Sequence, residues 1–130
     1  MIKVGILVIS DKASRGERKD KSGPIMKEMI KKLPAKVSKY KIIPDKREEI
    51  KGNLINWVGK LKLNLILTSG GTGIGARDVT PEATKEVIEK EVPGFVEAMR
   101  IKGLEKTPFS MLSRALVGVR KKSLIVNLPG

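Results

Sequence analysis

Leu63-Asn64-Leu65-Ile66-Leu67-Thr68-Ser69-Gly70-Gly71-Thr72-Gly73-Ile74-Gly75-Ala76-Arg77-Asp78-Val79-Thr80-Pro81-Glu82 is the most telling stretch of this chain. Leucine and isoleucine dominate residues 63–68, the mark of a short strand covered on both faces. Four glycines then fall within positions 70–75. Such a run lets backbone amides turn inward and approach a ligand closely, at a cost in chain entropy. Amides so arranged form a nest for anions. Thr72 adds a hydroxyl, and Arg77 a planar fork suited to phosphate. Thr80 is expected to N-cap a helix whose first residue is Pro81, with Glu82 in the first turn, where negative charge is favoured. The stretch reads as strand, anion-binding loop, helix. Two better-known phosphate motifs are excluded. Gly71-x-Gly73-x-x-Ala76 has the letters of a dinucleotide fingerprint, but that motif needs a helix to begin inside it. A P-loop needs a Gly-Lys-Ser/Thr triplet, which the chain lacks.

The same alternation extends in both directions. Val4 to Ile9 is a near-continuous apolar run, expected as a buried strand. Asp11 to Lys21 is polar and reads as a loop. Ser22-Gly23-Pro24 starts a helix carrying Ile25, Met26, Met29, Ile30 and Leu33 at helical spacing. Val37 to Ile43 reads as a strand stopped by Pro44-Asp45. Ile50, Leu54, Trp57, Val58 and Leu61 form the stripe of another helix. Beyond the glycine loop, the helix from Pro81 is expected to reach Val92-Pro93-Gly94, and a further one to cover Phe95 to Leu104. A short helical piece follows Pro108. Ala115 to Val119 and Ser123 to Leu128 then flank Arg120-Lys121-Lys122, either a hairpin turn or a short connection. This pattern predicts an α/β fold, a mostly parallel (mixed) sheet between helical layers. No linker or repeat interrupts it, so residues 1–130 are expected to form a single domain.

Composition narrows the chemistry. The 130 residues include no cysteine and no histidine. That excludes zinc sites built on those residues, disulfide scaffolds, cysteine nucleophiles and Ser-His-Asp triads. The net charge of +13 is uneven, with 17 basic and 7 acidic residues up to Lys62 against 10 and 7 after it. Such a balance fits a lysine-rich solvated surface, a polyanion or an acidic small molecule such as a nucleotide. Nucleic acid is the least favoured partner, because Tyr40, Trp57, Phe95 and Phe109 are scattered rather than grouped for base stacking. No apolar run approaches the roughly 18 residues of a membrane span. The N-terminal apolar stretch has no small-residue cleavage site, so a cytoplasmic protein is expected.

Ligands of parallel α/β sheets bind beyond the carboxyl ends of the strands. Three aspartates, Asp11, Asp45 and Asp78, follow the first three strands, and Asp20 closes the first loop. A phosphate site ringed by carboxylates needs an intervening cation. Mg²⁺ suits it, taking one or two carboxylates together with phosphate oxygens.

At these residues the sequence resembles the molybdopterin adenylyltransferases of molybdenum-cofactor biosynthesis, the MogA/MoaB family. That family includes the corresponding domains of gephyrin and its plant counterparts. The resemblance spans essentially the whole chain. It is most specific in Gly70-Gly71-Thr72-Gly73 and Arg77-Asp78-Val79-Thr80-Pro81-Glu82-Ala83-Thr84. Ser10-Asp11, Asp20-x-Ser22-Gly23-Pro24, Pro44-Asp45, Pro93-Gly94-Phe95, residues 107–114 and Asn127-Leu128-Pro129-Gly130 support it. The resemblance implies a three-layer α/β/α molybdopterin-binding domain that assembles as a homotrimer. It implies MgATP-dependent adenylylation of molybdopterin with release of pyrophosphate, and hand-over of the product to a molybdenum-insertion protein. By match to the family, Asp45 and Asp78 are catalytic; their chemistry is expected to hold Mg²⁺ or to orient the phosphates around it, with Arg77 or Arg114 offsetting charge on the incoming phosphate. Ser10, Asp11, Gly70, Gly71, Thr72, Gly73 and Arg77 bind the nucleotide and its phosphates. Ser110, Ser113, Arg114, Pro129 and Gly130 lie on the pterin side. Family chains continue past Asn-Leu-Pro-Gly with a further loop and helix, so a chain ending at Gly130 is expected to be truncated there. Two other readings stand beside the enzyme: a pterin-binding relative with little transferase activity, and a basic nucleic-acid-binding module.

Overall fold

The computed structural model describes residues 1–129. In chain order come β1 (Ile2–Ile9), a single helical turn α1 (Asp11–Ser14), α2 (Ser22–Ile30), β2 (Ala35–Ile43), α3 (Arg47–Gly59) and β3 (Leu65–Ser69). Then follow α4 (Thr80–Val87), β4 (Lys90–Glu91), α5 (Pro93–Leu104), a 3-10 turn (Pro108–Leu112), β5 (Val117–Arg120) and β6 (Ser123–Leu128). The described residues form one six-stranded sheet in the order β2-β1-β3-β6-β5-β4. The first four of these strands run parallel, and β5 and β4 are antiparallel additions at one edge. The expected α/β class with a mixed sheet is what the chain adopts.

Alternation along β1 separates two apolar layers. Val4, Ile6 and Val8 pack with Met26 and Ile30 of α2 on one face. Leu7 and Ile9 pack with Ile50, Leu54, Trp57 and Val58 of α3, and with Ala83 and Val87 of α4, on the other. α5 sits on the α2 face, where Val96 meets Val117 and Val126. The parallel strands therefore point their carboxyl ends, and the segments that follow them, to one edge of the molecule.

Several boundaries differ from expectation, each for a local reason. The segment after β1 is not all loop. The Ser10 hydroxyl accepts from the Ala13 amide at 3.2 Å and closes α1. Thr80 does not cap α4 but lies within it, its hydroxyl donating instead to the Gly70 carbonyl at 2.9 Å. α4 stops at Val87 rather than near Pro93, because the Glu89 amide donates to the Val119 carbonyl and the chain joins the sheet as β4. Leu61 falls beyond α3 and is partly exposed rather than on its buried stripe.

The lysine excess has a partly structural explanation. β2 is an edge strand, and Lys36, Lys39 and Lys41 are exposed on it. Val4 pairs with Val37 but Gly5 with Lys39, so Ser38 bulges out of register. Charge and a bulge on an open edge discourage pairing with another chain.

Gly5 is where the β1–α3 contact is decided. A Cβ there would lie 2.6 Å from Leu63 Cδ1 and 2.7 Å from Trp57 Cε3. Both neighbours are buried, so neither can retreat into solvent. Gly5→Ala is expected to destabilise the fold by about 1–3 kcal/mol through overpacking, read as a lower urea midpoint at unchanged m-value. A midpoint equal to that of the parent protein would refute this close approach.

Candidate active site

The ends of β1, β2 and β3 interlock through backbone and carboxylate. The Asp11 amide donates to Asp45 Oδ2 at 2.9 Å, and the Asp45 amide returns a bond to Asp11 Oδ1 at 3.0 Å. Arg77, from the glycine loop, clamps Asp11 with two bonds of 2.9 Å from Nε and a terminal nitrogen. This guanidinium, with help from the Asp45 amide, holds the Asp11 carboxyl below the usual carboxylate range. Asp45 goes the other way. Burial pushes its carboxyl up, and the negative charges of Asp11 and Asp78 add to the effect.

The loop between β3 and α4 is shaped by two glycines and pinned from several sides. Gly70 and Gly71 have φ of +102° and +71°. A Cβ on either would come within 2.3 Å of an oxygen, the Ile9 carbonyl and the Thr80 hydroxyl respectively. Gly70 donates its amide to the Leu128 carbonyl at 3.1 Å, so that amide extends the β3–β6 ladder and is not offered to a ligand. Gly71, Thr72 and Gly73 keep amides without a partner among the described residues. The Gly75 amide holds Asp78 Oδ2 at 2.9 Å, fixing this carboxylate against the loop. Thr72 is buried, and its carbonyl accepts from the Arg114 amide at 2.8 Å.

Beneath the loop lies a clasp that sequence reasoning did not single out. Asn127, fully buried on β6, donates from Nδ2 to Thr68 Oγ1 and to Thr84 Oγ1, both at 3.0 Å. Its Oδ1 accepts from the Leu116 amide at 3.1 Å. Thr68 enters the loop and Thr84 belongs to the helix that leaves it. One side chain thus ties both ends of the loop.

Asp45, Asp78, Ser10, Ser69, Gly70 and Gly71 line one cavity of about 490 Å³ together with residues 18–22. Asp45 keeps Oδ1, and Asp78 one oxygen, uncommitted by the bonds above. Two hard oxygen donors fit Mg²⁺, which fills its remaining positions with water and phosphate. Among the described residues, no group of three or more acidic ligands forms a complete cage.

The residues matched to the pterin side are divided. Ser110, Ser113 and Pro129 line a separate small pocket beside α5. Arg114 is committed to the Gly73 and Asp78 carbonyls at 2.8 Å each and to the Glu82 carboxylate, so it braces the glycine loop. Gly130 lies outside the described residues. Ser69, Arg18, Lys19 and Lys21 also line the cavity. They lie in the segments that follow β1 and β3, 10–22 and 69–80, where a ligand is expected, but nothing in their spacing singles them out.

Residues 5–130 match a protein-family model described as "Probable molybdopterin binding domain". The chain is 44% identical over 131 residues to the molybdopterin adenylyltransferase of Helicobacter pylori strain J99, covering 99% of this chain and 74% of that protein. It is 40% identical over 132 residues to the molybdopterin adenylyltransferase of Escherichia coli K12, covering 99% and 67%. Among solved structures, the molybdopterin biosynthesis enzyme MoaB from Thermus thermophilus superposes with a TM-score of 0.94 at 49% identity, over 100% of this chain and 82% of that one.

The raised Asp45 carboxyl predicts a stability signature. A carboxyl whose pKa is higher folded than unfolded keeps its proton longer in the native state. Stability is therefore lost as pH rises from the unfolded value through the folded one. Asp45→Asn keeps an oxygen for the Asp11 amide and removes this penalty. The variant is expected to gain stability over the parent at pH 8 and less or none at pH 3.5, read from denaturant midpoints. A gain confined to low pH would contradict the assignment.

Proposed function

The chain belongs to the molybdopterin-binding domain family, and from that premise we propose that it is a molybdopterin adenylyltransferase acting on ATP in molybdenum-cofactor biosynthesis. The reading rests on one observation above all: the strand-end aspartates Asp45 and Asp78 share the lining of one cavity with Gly70 and Gly71, the first two residues of the glycine loop. The reaction joins two anions. A phosphate oxygen of molybdopterin attacks the α-phosphorus of ATP, the bond from that phosphorus to the α–β bridging oxygen breaks, and pyrophosphate leaves. The attacking group is already an anion, so no strong general base is required, and positioning with charge neutralisation carries the catalysis.

Each residue has a part. The free amide of Gly71, which lines the cavity, takes a nucleotide phosphate oxygen, and the free amides of Thr72 and Gly73 follow it at the rim of the loop. Gly70 serves by its conformation. Ser10 and Asp11 set the floor of the site through α1 and the bond to Asp45, and Arg77 fixes Asp11. Asp45 and Asp78 would hold Mg²⁺, which supplies charge neutralisation at the phosphates. Ser110, Ser113, Arg114, Pro129 and Gly130 form the pterin side, with Arg114 acting through the loop that it braces. We assign residues 1–130 to a single molybdopterin-binding domain. We also propose assembly as a homotrimer, supported by the exposed apolar side chains Phe95, Ile101, Leu104, Phe109 and Met111 on α5 and the turn after it. A cytoplasmic location, where ATP is supplied, and hand-over to a molybdenum-insertion protein complete the reading.

Asp45→Ala and Asp78→Ala are each expected to slow AMP transfer to molybdopterin by about 10²-fold or more while leaving the far-UV circular dichroism unchanged. Pyrophosphate release under single-turnover conditions measures it. Near-parental rates in both variants would overturn the assignment.

A further inference from the structure

The two arginines nearest the glycine loop are already engaged. Arg77 is clamped on Asp11, and Arg114 on Glu82 and two loop carbonyls. Neither is free to neutralise an incoming polyanion without giving up a bond that shapes the site. Arg15 is likewise paired, with Glu17. The cations that remain at the cavity are Arg18, Lys19 and Lys21, all three of which line it together with Asp45 and Asp78. None of the three takes part in an ion pair among the described residues.

These cations are not on a loose strand. Asp20, between Lys19 and Lys21, accepts from the Ser22 amide at 3.0 Å and the Gly23 amide at 3.1 Å. The Tyr40 hydroxyl on β2 donates to the same carboxylate. Burial and the neighbouring Asp20 push the Tyr40 phenol up to about 12, so it stays a donor across the working pH range. Lys27 lies over the Tyr40 ring at 3.8 Å, closing the cluster from the side. Gly23 has no room for a side chain, since a Cβ would meet Asp20 Oδ2 and Tyr40 Cε2 at 2.4 Å. The Asp20 carboxylate is thus consumed in anchoring, and the positive charge on either side of it is left for a ligand.

We propose that Arg18, Lys19 and Lys21 form a polyphosphate wall of the cavity, the subsite that takes the β- and γ-phosphates of a nucleoside triphosphate and holds pyrophosphate as it leaves, with Asp20 and Tyr40 as its positioning residues. The proposal rests on the transferase reading above and adds where the leaving group is bound. Asp45 and Asp78 reach a phosphate only through a cation, whereas the wall meets it directly. A nucleoside triphosphate is therefore held with its tail toward residues 18–21. A monophosphate, lacking the tail, gains little from the wall.

The test compares inorganic tripolyphosphate with AMP, by isothermal titration in magnesium-containing buffer. The variants are the Arg18→Ala/Lys19→Ala/Lys21→Ala triple and a charge-matched control, Lys32→Ala/Lys60→Ala/Lys122→Ala, whose side chains lie outside the cavity. The wall variant is expected to bind tripolyphosphate about tenfold more weakly, from three partly screened contacts, and AMP within about threefold of the parent. The control should retain both affinities. Tyr40→Phe should lower the preference for tripolyphosphate over AMP, whereas a merely structural defect would weaken both together. Unchanged tripolyphosphate affinity in the wall variant, an equal loss for AMP, or an equal loss in the control would each overturn the proposal. Tripolyphosphate binding is read without pterin and without turnover. A protein that showed this selectivity yet transferred no AMP would therefore sink the transferase reading and leave the wall standing.

Discussion

Asn127 is the point on which the functional edge of the molecule hangs. Its amide is fully buried, with both kinds of polar atom matched to partners on β3, α4 and the segment before β5. Removing any partner would strand a buried donor or acceptor, at a cost of about 1–3 kcal/mol. The network therefore specifies one arrangement of four chain segments rather than merely adding stability. Thr68 and Thr84 stand at the two ends of the glycine loop, so the loop inherits that arrangement. The Thr80–Gly70 bond and the Arg114 brace then shape its interior.

Above this clasp the electrostatics are arranged in opposition. Three aspartates meet where three parallel strands end, a disposition that costs free energy unless each charge is answered. Asp11 is answered by Arg77 and by a backbone amide. Asp78 is answered by the Gly75 amide. Asp45 is answered by the Asp11 amide, but burial raises its carboxyl, and the charges of Asp11 and Asp78 add to the effect. A perturbed carboxyl at a strand end is characteristic of sites that work on charged ligands. A second field, from the residue 18–21 segment, has the opposite sign and bounds the same cavity. The site thus holds both signs of charge at fixed positions, the arrangement that transfer between two anions requires.

Much of this was legible in the residues. The apolar runs at Val4–Ile9 and Leu63–Thr68 and the helical stripes gave the layers, because buried parallel strands and amphipathic helices leave distinct periods; the second of these strands begins two residues into its run, at Leu65. The three strand-end aspartates could be placed together from topology alone. What the chain did not disclose was set by tertiary pairing. β4 exists because β5 offers it partners, so α4 ends early. Thr80 serves a carbonyl ten residues back instead of its own helix. Asn127 looked like one member of a terminal motif, since nothing in its neighbours reveals that two threonines converge on it. Arg77 and Arg114 have the right chemistry for phosphate, and only the structure shows that their hydrogen bonds are already made to the protein.

If Asp45 and Asp78 act as proposed, carboxylates and phosphates share this cavity only through a cation. Isothermal titration of ATP with and without Mg²⁺ tests it most directly. The expected result is binding that appears with Mg²⁺ and is lost when the metal is chelated. ATP binding of equal strength in the absence of divalent metal would contradict it, and would require Asp45 and Asp78 to do something other than hold a cation against the phosphates.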